Sequence, residues 1–248
     1  MSGHSKWATI KHKKGAADKA RGKLFAKLAR QIEVAARQGG GDLDSNASLR
    51  TAVLKAKAAQ MTKDAIDRAI KRATGEGDTT NYESITYEGY APGGVAMLVD
   101  VLTDNRNRTA SDVRSAFTKY GGSMAEPGAV GWQFSRKGLI LIDGAIDEDT
   151  ALTVSLEAGA EDMSRDGDSW RVVTDPSMVY EVRDALEGAG VAVQSAESTM
   201  VSSTVIEVTD LNDAKQVLRI MDALEDNDDV QDVYANFDIA ESIMQEVG

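Results

Sequence analysis

The spacing of apolar residues changes near Thr74-Gly75-Glu76-Gly77-Asp78, and that change divides the chain into an all-helical front and a mixed remainder. Before it, apolar residues recur at helical intervals. From about Ala16 to Gln38, Leu24, Phe25, Leu28 and Ile32 share one side, and Gly39-Gly40-Gly41 ends the helix. A second helix fits about 46–60 with Leu49, Ala52, Val53 and Ala56 inward. Thr62 caps a third, with Ile66, Ala69, Ile70 and Ala73 inward. Residues 2–14 show neither the helical nor the strand period and read as an extended or mobile arm. Beyond the glycine-rich linker, Ile85–Tyr90 and Val95–Leu102 read as strands joined by a Pro92-Gly93-Gly94 turn. A helix capped by Thr109, with Asp112 three residues on, and a strand over Val130–Phe134 follow.

The next stretch is self-contained: strand 138–142, helix 147–158, strands near 161–164 and 169–174, helix 176–187 and strand 191–198. That βαββαβ order is the ferredoxin-like unit. Thr204–Val208, helix 211–225 and Val230–Phe237 supply one more βαβ. Asp184-Ala-Leu-Glu187 recurs as Asp222-Ala-Leu-Glu225, modest support for related units. The predicted fold class is α+β: an N-terminal three-helix bundle followed by two ferredoxin-like α+β domains, one inserted in the other. The expected boundaries are 1–77 for the arm and bundle, 80–134 plus 203–248 for a split domain, and 136–201 for the insert.

Charge follows the same division. Residues 1–75 hold 17 Lys and Arg against 6 acids, a net +11, so residues 76–248 carry −23 of the total −12. One end seeks a polyanion and the rest repels it. Nucleic acid suits such a face, because each neutralised phosphate releases a counterion. Placed at 100° steps, Lys19, Lys23, Lys27, Arg30 and Arg37 fall within an arc of about 80°, opposite the apolar side. Arg21 departs from that scheme by landing among the apolar residues. The candidate nucleic-acid-binding residues are His4, Lys6, Trp7, Lys11, His12, Lys13 and Lys14 of the arm, with Lys19, Lys23, Lys27, Arg30 and Arg37 of the helix. Trp7 either stacks on an unpaired base or packs the arm onto the bundle.

Asn105, Arg106, Asn107 and Arg108 form a second candidate site. Two cations before a helix N-terminus face positive peptide dipoles and need an anion. Asp104 and Asp112 could supply it internally; a phosphate or acidic partner is the functional reading. The acidic tail, with 12 acids against Lys215 and Arg219 over residues 200–248, reads as a solvated face that also limits indiscriminate sticking to RNA.

Other chemistry has little foothold. The absence of cysteine removes disulfides and thiolate chemistry, and suits a reducing cytosol. His4 and His12, the only histidines, do not make a metal site. Gly89-Tyr-Ala-Pro-Gly93-Gly94 precedes a strand, where a dinucleotide loop would precede a helix, and no phosphate-binding P-loop appears. No apolar run approaches the roughly 20 residues that span a bilayer, and the basic start has no apolar stretch of a secretory signal. The expectations are a non-enzymatic, cytoplasmic protein with no cofactor, no metal, no membrane association and no small-molecule substrate.

Three motifs bear a family resemblance: Ser2-Gly-His-Ser-Lys-Trp-Ala-Thr-Ile-Lys-His-Lys-Lys-Gly15, Tyr87-Glu-Gly-Tyr-Ala-Pro-Gly-Gly94 and Thr103-Asp-Asn-Arg-Asn-Arg-Thr109. Together they closely resemble the YebC family, whose mitochondrial relatives are translational activators of cytochrome c oxidase. The likeness covers essentially the whole chain. It implies a three-helix domain followed by two α+β domains. It also implies one of two roles: a DNA-binding transcriptional regulator, or a ribosome-associated translation factor that helps synthesis through difficult stretches such as consecutive prolines.

A flexible basic arm with one aromatic suits RNA phosphates in an irregular site. Sequence-specific DNA readout would want a helix aiming Arg, Asn or Gln at base edges. The stripe is mainly Lys, which positions on phosphates more than it specifies bases. Ribosomal RNA or tRNA on the ribosome is therefore the favoured partner. Duplex DNA is the alternative, with the basic third helix (Lys63, Arg68, Lys71, Arg72) lying along it. A protein–protein adaptor built on the ferredoxin-like domains is a third reading.

Overall fold

The computed structural model describes residues 17–75 and 81–247. The arm 2–14 and most of the 74–78 linker lie outside the described residues. Three helices come first: α1 (Ala17–Gly39), α2 (Ala47–Ala58) and α3 (Lys63–Thr74). They close an alanine-rich core around Leu28, Ile32, Leu49, Val53, Met61 and Ile66. Leu49, Ala52, Val53 and Ala56 are all buried, as their spacing predicts. Leu24 is 44 % exposed, unlike the helix residues that follow on its apolar side. Phe25 still packs against the bundle core, while Arg21, a turn earlier, stays in solvent, so its odd position needs no burial. Asn46 joins α1 to α2. Its side-chain oxygen accepts from the Leu49 amide at 3.0 Å, and its amide donates to the Ala35 and Gly40 carbonyls, both at 2.8 Å. Thr62 caps α3 as expected.

The mixed part begins with β1 (Glu83–Ala91) and β2 (Val95–Thr103), an antiparallel hairpin in register from Ala91↔Val95 to Glu83↔Thr103. Gly93 and Gly94 turn it with φ of 76° and 79°, where L side chains are strained. After α4 (Arg106–Lys119) and β3 (Ser123–Ala125), the chain leaves this sheet and returns near its C-terminus as β8 (Ile206–Val208), α7 (Leu211–Glu225), β9 (Val230–Ala235), β10 (Phe237–Ile239) and α8 (Glu241–Val247). The sheet order is β3-β1-β2-β9, antiparallel throughout. Helices α4 and α7 supply Val113, Phe117, Val217, Ile220, Met221 and Leu224 to its core. A Cβ on Gly89 would meet the Phe117 ring at 2.7 Å and the Ser123 carbonyl at 2.8 Å, so glycine admits α4 to the sheet.

Between the two halves lie β4 (Phe134–Asp143), α5 (Glu148–Glu157), β5 (Asp162–Asp166), β6 (Ser169–Thr174), α6 (Val179–Gly188) and β7 (Val193–Ser202). Their antiparallel sheet has the order β5-β6-β4-β7, with the first and third strands central, which is the ferredoxin-like arrangement. Ile140, Ile142, Trp170, Val172, Val182 and Leu186 form its core. Trp132–Val205 make one compact unit; the other takes the described residues up to Gly131 and from Ile206.

Three local readings need correction. The cap of α4 is Asn105, whose side chain accepts from the Arg108 amide at 3.0 Å; Thr109 lies buried inside the helix. Val130–Phe134 is no separate strand: a 3₁₀ turn over Gly131–Gln133 leads into β4, which starts at Phe134. The expected strand 230–237 breaks at Asn236, which is buried and accepts from the Ala96 amide at 2.8 Å. Residues before the break pair with β2, and residues after it pair in parallel with β8.

Glu88 gives the Tyr87–Gly94 motif a structural purpose. Its carboxylate accepts from the amides of Gly128 and Val130, both at 2.6 Å, and Gly131 at 2.8 Å, holding the loop that leads to β4. Burial alone would raise its pKa, but the three amide bonds hold it below the usual carboxylate range. Glu88→Gln keeps the shape and removes the charge. It is expected to cost about 1–2 kcal/mol and to speed proteolysis within 126–131, read by denaturant unfolding and limited digestion. Unchanged digestion of that loop would show that the carboxylate does not hold it.

Candidate nucleic-acid interface

The arm candidates His4, Lys6, Trp7, Lys11, His12, Lys13 and Lys14 lie outside the described residues, and Lys19 falls in the first turns of α1. The next members of the stripe face the rest of their own chain. Lys23 Nζ pairs with Asp226 Oδ1 at 2.7 Å. Lys27 Nζ donates to the Glu225 carbonyl at 2.8 Å. Arg30 Nη1 reaches Asp229 Oδ1 at 3.0 Å and the carbonyls of Asp228 and Leu102 at 3.0 and 3.2 Å. From α2, Lys55 pairs with Asp232 Oδ2 at 2.9 Å. Arg37 is half-buried in the last turn of α1. The end of α7, the loop after it and the start of β9 thus meet the basic face, with Asp226, Asp229 and Asp232 as the paired acids.

Asp229 is the centre of this contact and is only 6 % exposed. Besides Arg30, it accepts from Arg108 Nη2 at 2.6 Å, Thr109 Oγ1 at 2.7 Å and Thr103 Oγ1 at 3.2 Å. Burial pushes its pKa up, but Arg108, Thr109 and Thr103 outweigh that and hold it below the ordinary aspartate value. Arg108 also pairs with Asp104 at 2.8 Å, and these two acids raise its own pKa. The cluster ties α1, β2, the start of α4 and the start of β9 together.

The second candidate site is therefore divided. Arg108 is held by internal acids and Asn105 serves as the helix cap, while Arg106 and Asn107 are exposed. Asp104 is the internal anion for Arg108, as the sequence allowed. Asp112 instead accepts from Asn227 Nδ2 at 3.4 Å. Asp229, Thr103 and Thr109 were not singled out as a group by sequence. The signal was present in Thr103 and Thr109 flanking the arginines and in the acid run Glu225–Asp229.

The exposed side of α3 carries Lys63, Arg68, Lys71 and Arg72, interleaved with Asp64 and Asp67. Arg72 pairs with Glu33 at 2.7 Å, and Arg68 Nε donates to the Asp64 carbonyl at 3.1 Å. Arg21, Lys57, Lys63 and Lys71 are exposed and form no ion pair with another described residue. Among the described residues, no group of three or more His, Cys, Asp or Glu is placed to hold a metal ion, and no helix is long and apolar enough to cross a membrane.

A basic three-helix head, a split antiparallel α+β domain bearing acids against it, and a ferredoxin-like unit inserted between that domain's two halves in sequence define a class of modular α+β protein built around charge. Residues 5–76 match the "TACO1/YebC protein N-terminal domain" and residues 82–237 match the "TACO1/YebC second and third domain". The chain belongs to the TACO1/YebC family. It is 56 % identical over 249 residues to a probable transcriptional regulatory protein of Rubrobacter xylanophilus, covering 100 % of this chain and 99 % of that one. It is 53 % identical over 247 residues to one from Geobacter sulfurreducens, covering 100 % of both. The crystal structure of a conserved hypothetical protein from Aquifex aeolicus is similar at a TM-score of 0.76 and 44 % identity, over 90 % of this chain and 93 % of that one.

Proposed function

We propose that this protein is a non-enzymatic nucleic-acid-binding regulator of gene expression, acting as a ribosome-associated translation factor that relieves stalling. It contacts ribosomal RNA or tRNA through its basic arm and first helix. The observation that carries this reading is the division of charge, +11 over residues 1–75 against −23 over the rest. The regulatory class is supported by relatives named probable transcriptional regulatory proteins. RNA is favoured over duplex because the arm sets one tryptophan among lysines and histidines, a composition for stacking and phosphate contact. Arg30, an arginine of the helix stripe, is committed to Asp229, which leaves it unavailable for base-edge readout while that contact lasts. Arg106 and Asn107 are proposed as a second contact for the same partner.

The full chain is expected to co-sediment with ribosomes, and a variant lacking residues 1–14 is expected to stay in the supernatant. Equal sedimentation of the two would remove the arm as the anchor. The second reading, DNA-binding regulation, rests on the relatives' names. Crosslinking in cells and sequencing the bound nucleic acid separates the two: ribosomal RNA or tRNA supports the translation reading, and promoter DNA replaces it.

A further inference from the structure

Two features of the basic head belong together. Its apolar core is closed on itself: among the described residues, the clusters of the bundle and of the split sheet share no residue. Its attachment to the body is written in charge. Eight residues, Glu225–Asp232, hold five acids: Glu225, Asp226, Asp228, Asp229 and Asp232. Side chains or carbonyls of all five take up Lys23, Lys27, Arg30 and Lys55. Gln31, donating to Gln231 at 3.2 Å, adds a neutral side-chain pair to that seam. Arg30 meets the nearly buried Asp229, whereas Lys23–Asp226 and Lys55–Asp232 are solvent-accessible ion pairs, individually weak and screened by salt. A seam made of them yields to a competing polyanion far more readily than one made of buried apolar area.

We propose that the acidic segment Glu225–Asp232, which runs from the end of α7 through the loop after it to the start of β9, is an internal stand-in for a phosphodiester backbone: it occupies Lys23, Lys27, Arg30 and Lys55, and a nucleic-acid strand gains those cations only by taking them from it. This rests on the nucleic-acid-binding role proposed above and adds its regulation. The ammonium groups of Lys23 and Lys55 and the guanidinium of Arg30 cannot serve the loop and a phosphate chain with the same donors. Those cations are therefore withheld in the free protein, and apparent affinity is reduced by the fraction of molecules in which the acidic segment is seated. Scattered or weak phosphate sites do not open the seam. A dense one does, and α1 is then released from the acidic segment.

The test compares binding of a single-stranded oligouridine, about 20 nucleotides long, by fluorescence anisotropy over a potassium chloride series. The loop variant carries Asp226→Asn, Asp228→Asn and Asp232→Asn, with Asp229 retained for the fold. A control, Glu157→Gln, Glu187→Gln and Glu207→Gln, removes the same charge from exposed acids elsewhere. The loop variant is expected to bind about tenfold tighter than wild type, and the control less than about twofold tighter. Wild-type binding that is salt-dependent, with loop variant and control alike, overturns the proposal and leaves the proposed function standing. No binding by any of the three overturns both. If thermal melting shows the triple variant unfolded, Asp226→Asn alone is used, with about a two- to threefold gain expected and no gain counting against the proposal. The chain has no cysteine, so Thr51→Cys on α2 and Arg219→Cys on α7 accept spin labels without background. The distance between them is expected to lengthen when the oligouridine saturates the protein; an unchanged distribution overturns the displacement.

Discussion

Asp229→Ala is expected to lower the unfolding free energy by about 3–5 kcal/mol. The carboxylate is almost fully buried and receives Arg30, Arg108, Thr103 and Thr109. Its removal takes a charged acceptor from Arg30 and from Arg108, which keeps Asp104, and from the buried Thr103 and Thr109 hydroxyls, which keep a 2.7 Å bond to each other. Asp229→Asn preserves the volume and one acceptor, so it is expected to fall between wild type and alanine. The pH dependence has a definite sign. The folded pKa lies below the ordinary value, so the carboxylate's contribution is complete above about pH 4 and is lost as pH falls below that through the folded value. Chemical denaturation of wild type and Asp229→Asn between neutral and acid pH reads this directly. Curves that converge on acidification support the assignment; a constant gap, or a loss under about 1 kcal/mol for alanine, would place the stabilisation elsewhere.

Replacing Lys6, Lys11, Lys13 and Lys14 with glutamine is expected to weaken RNA binding by about two orders of magnitude near physiological salt. Each phosphate contact on a single strand contributes about 0.7 to the slope of log affinity against log salt, so four lost contacts flatten that slope by about 3. Stability is expected to stay within about 0.5 kcal/mol of wild type. Anisotropy titrations with the same oligouridine supply both numbers. An unchanged slope would move the phosphate contacts off the arm, leaving the exposed Lys57, Lys63 and Lys71 as the residues to replace next.

The α+β class and most elements were legible because each buries a repeating apolar pattern. Helix α2, with Leu49, Ala52, Val53 and Ala56, lies within two residues of its expected ends. The βαββαβ order of 134–202 follows from alternation that local sequence carries. What sequence did not carry was the partner of a charge. Lys23 and Asp226 are 203 residues apart, and no period links them. The run Glu225–Asp232 looks like a solvated acidic stretch until α1 lies across it. The cap of α4 was misplaced for a related reason: Asn105 and Thr109 are both capping residue types, and only the buried Asp229 explains why Thr109 sits inside the helix. Asn236 ends β9 by accepting from Ala96, a bond that period-two alternation cannot announce.

The first residue of β4, Phe134, is paired across the sheet with the last of β7, Ser202. Entry and exit of the ferredoxin-like module therefore stand side by side, at the roughly 5 Å spacing of antiparallel neighbours. To its host, that module is a long excursion whose ends hardly part, and the entropy of closing such a loop grows only slowly with its length. Evolution could lengthen, trim or exchange everything between those two positions while the surrounding sheet kept its register, and an engineer could graft a reporter domain at the same junction.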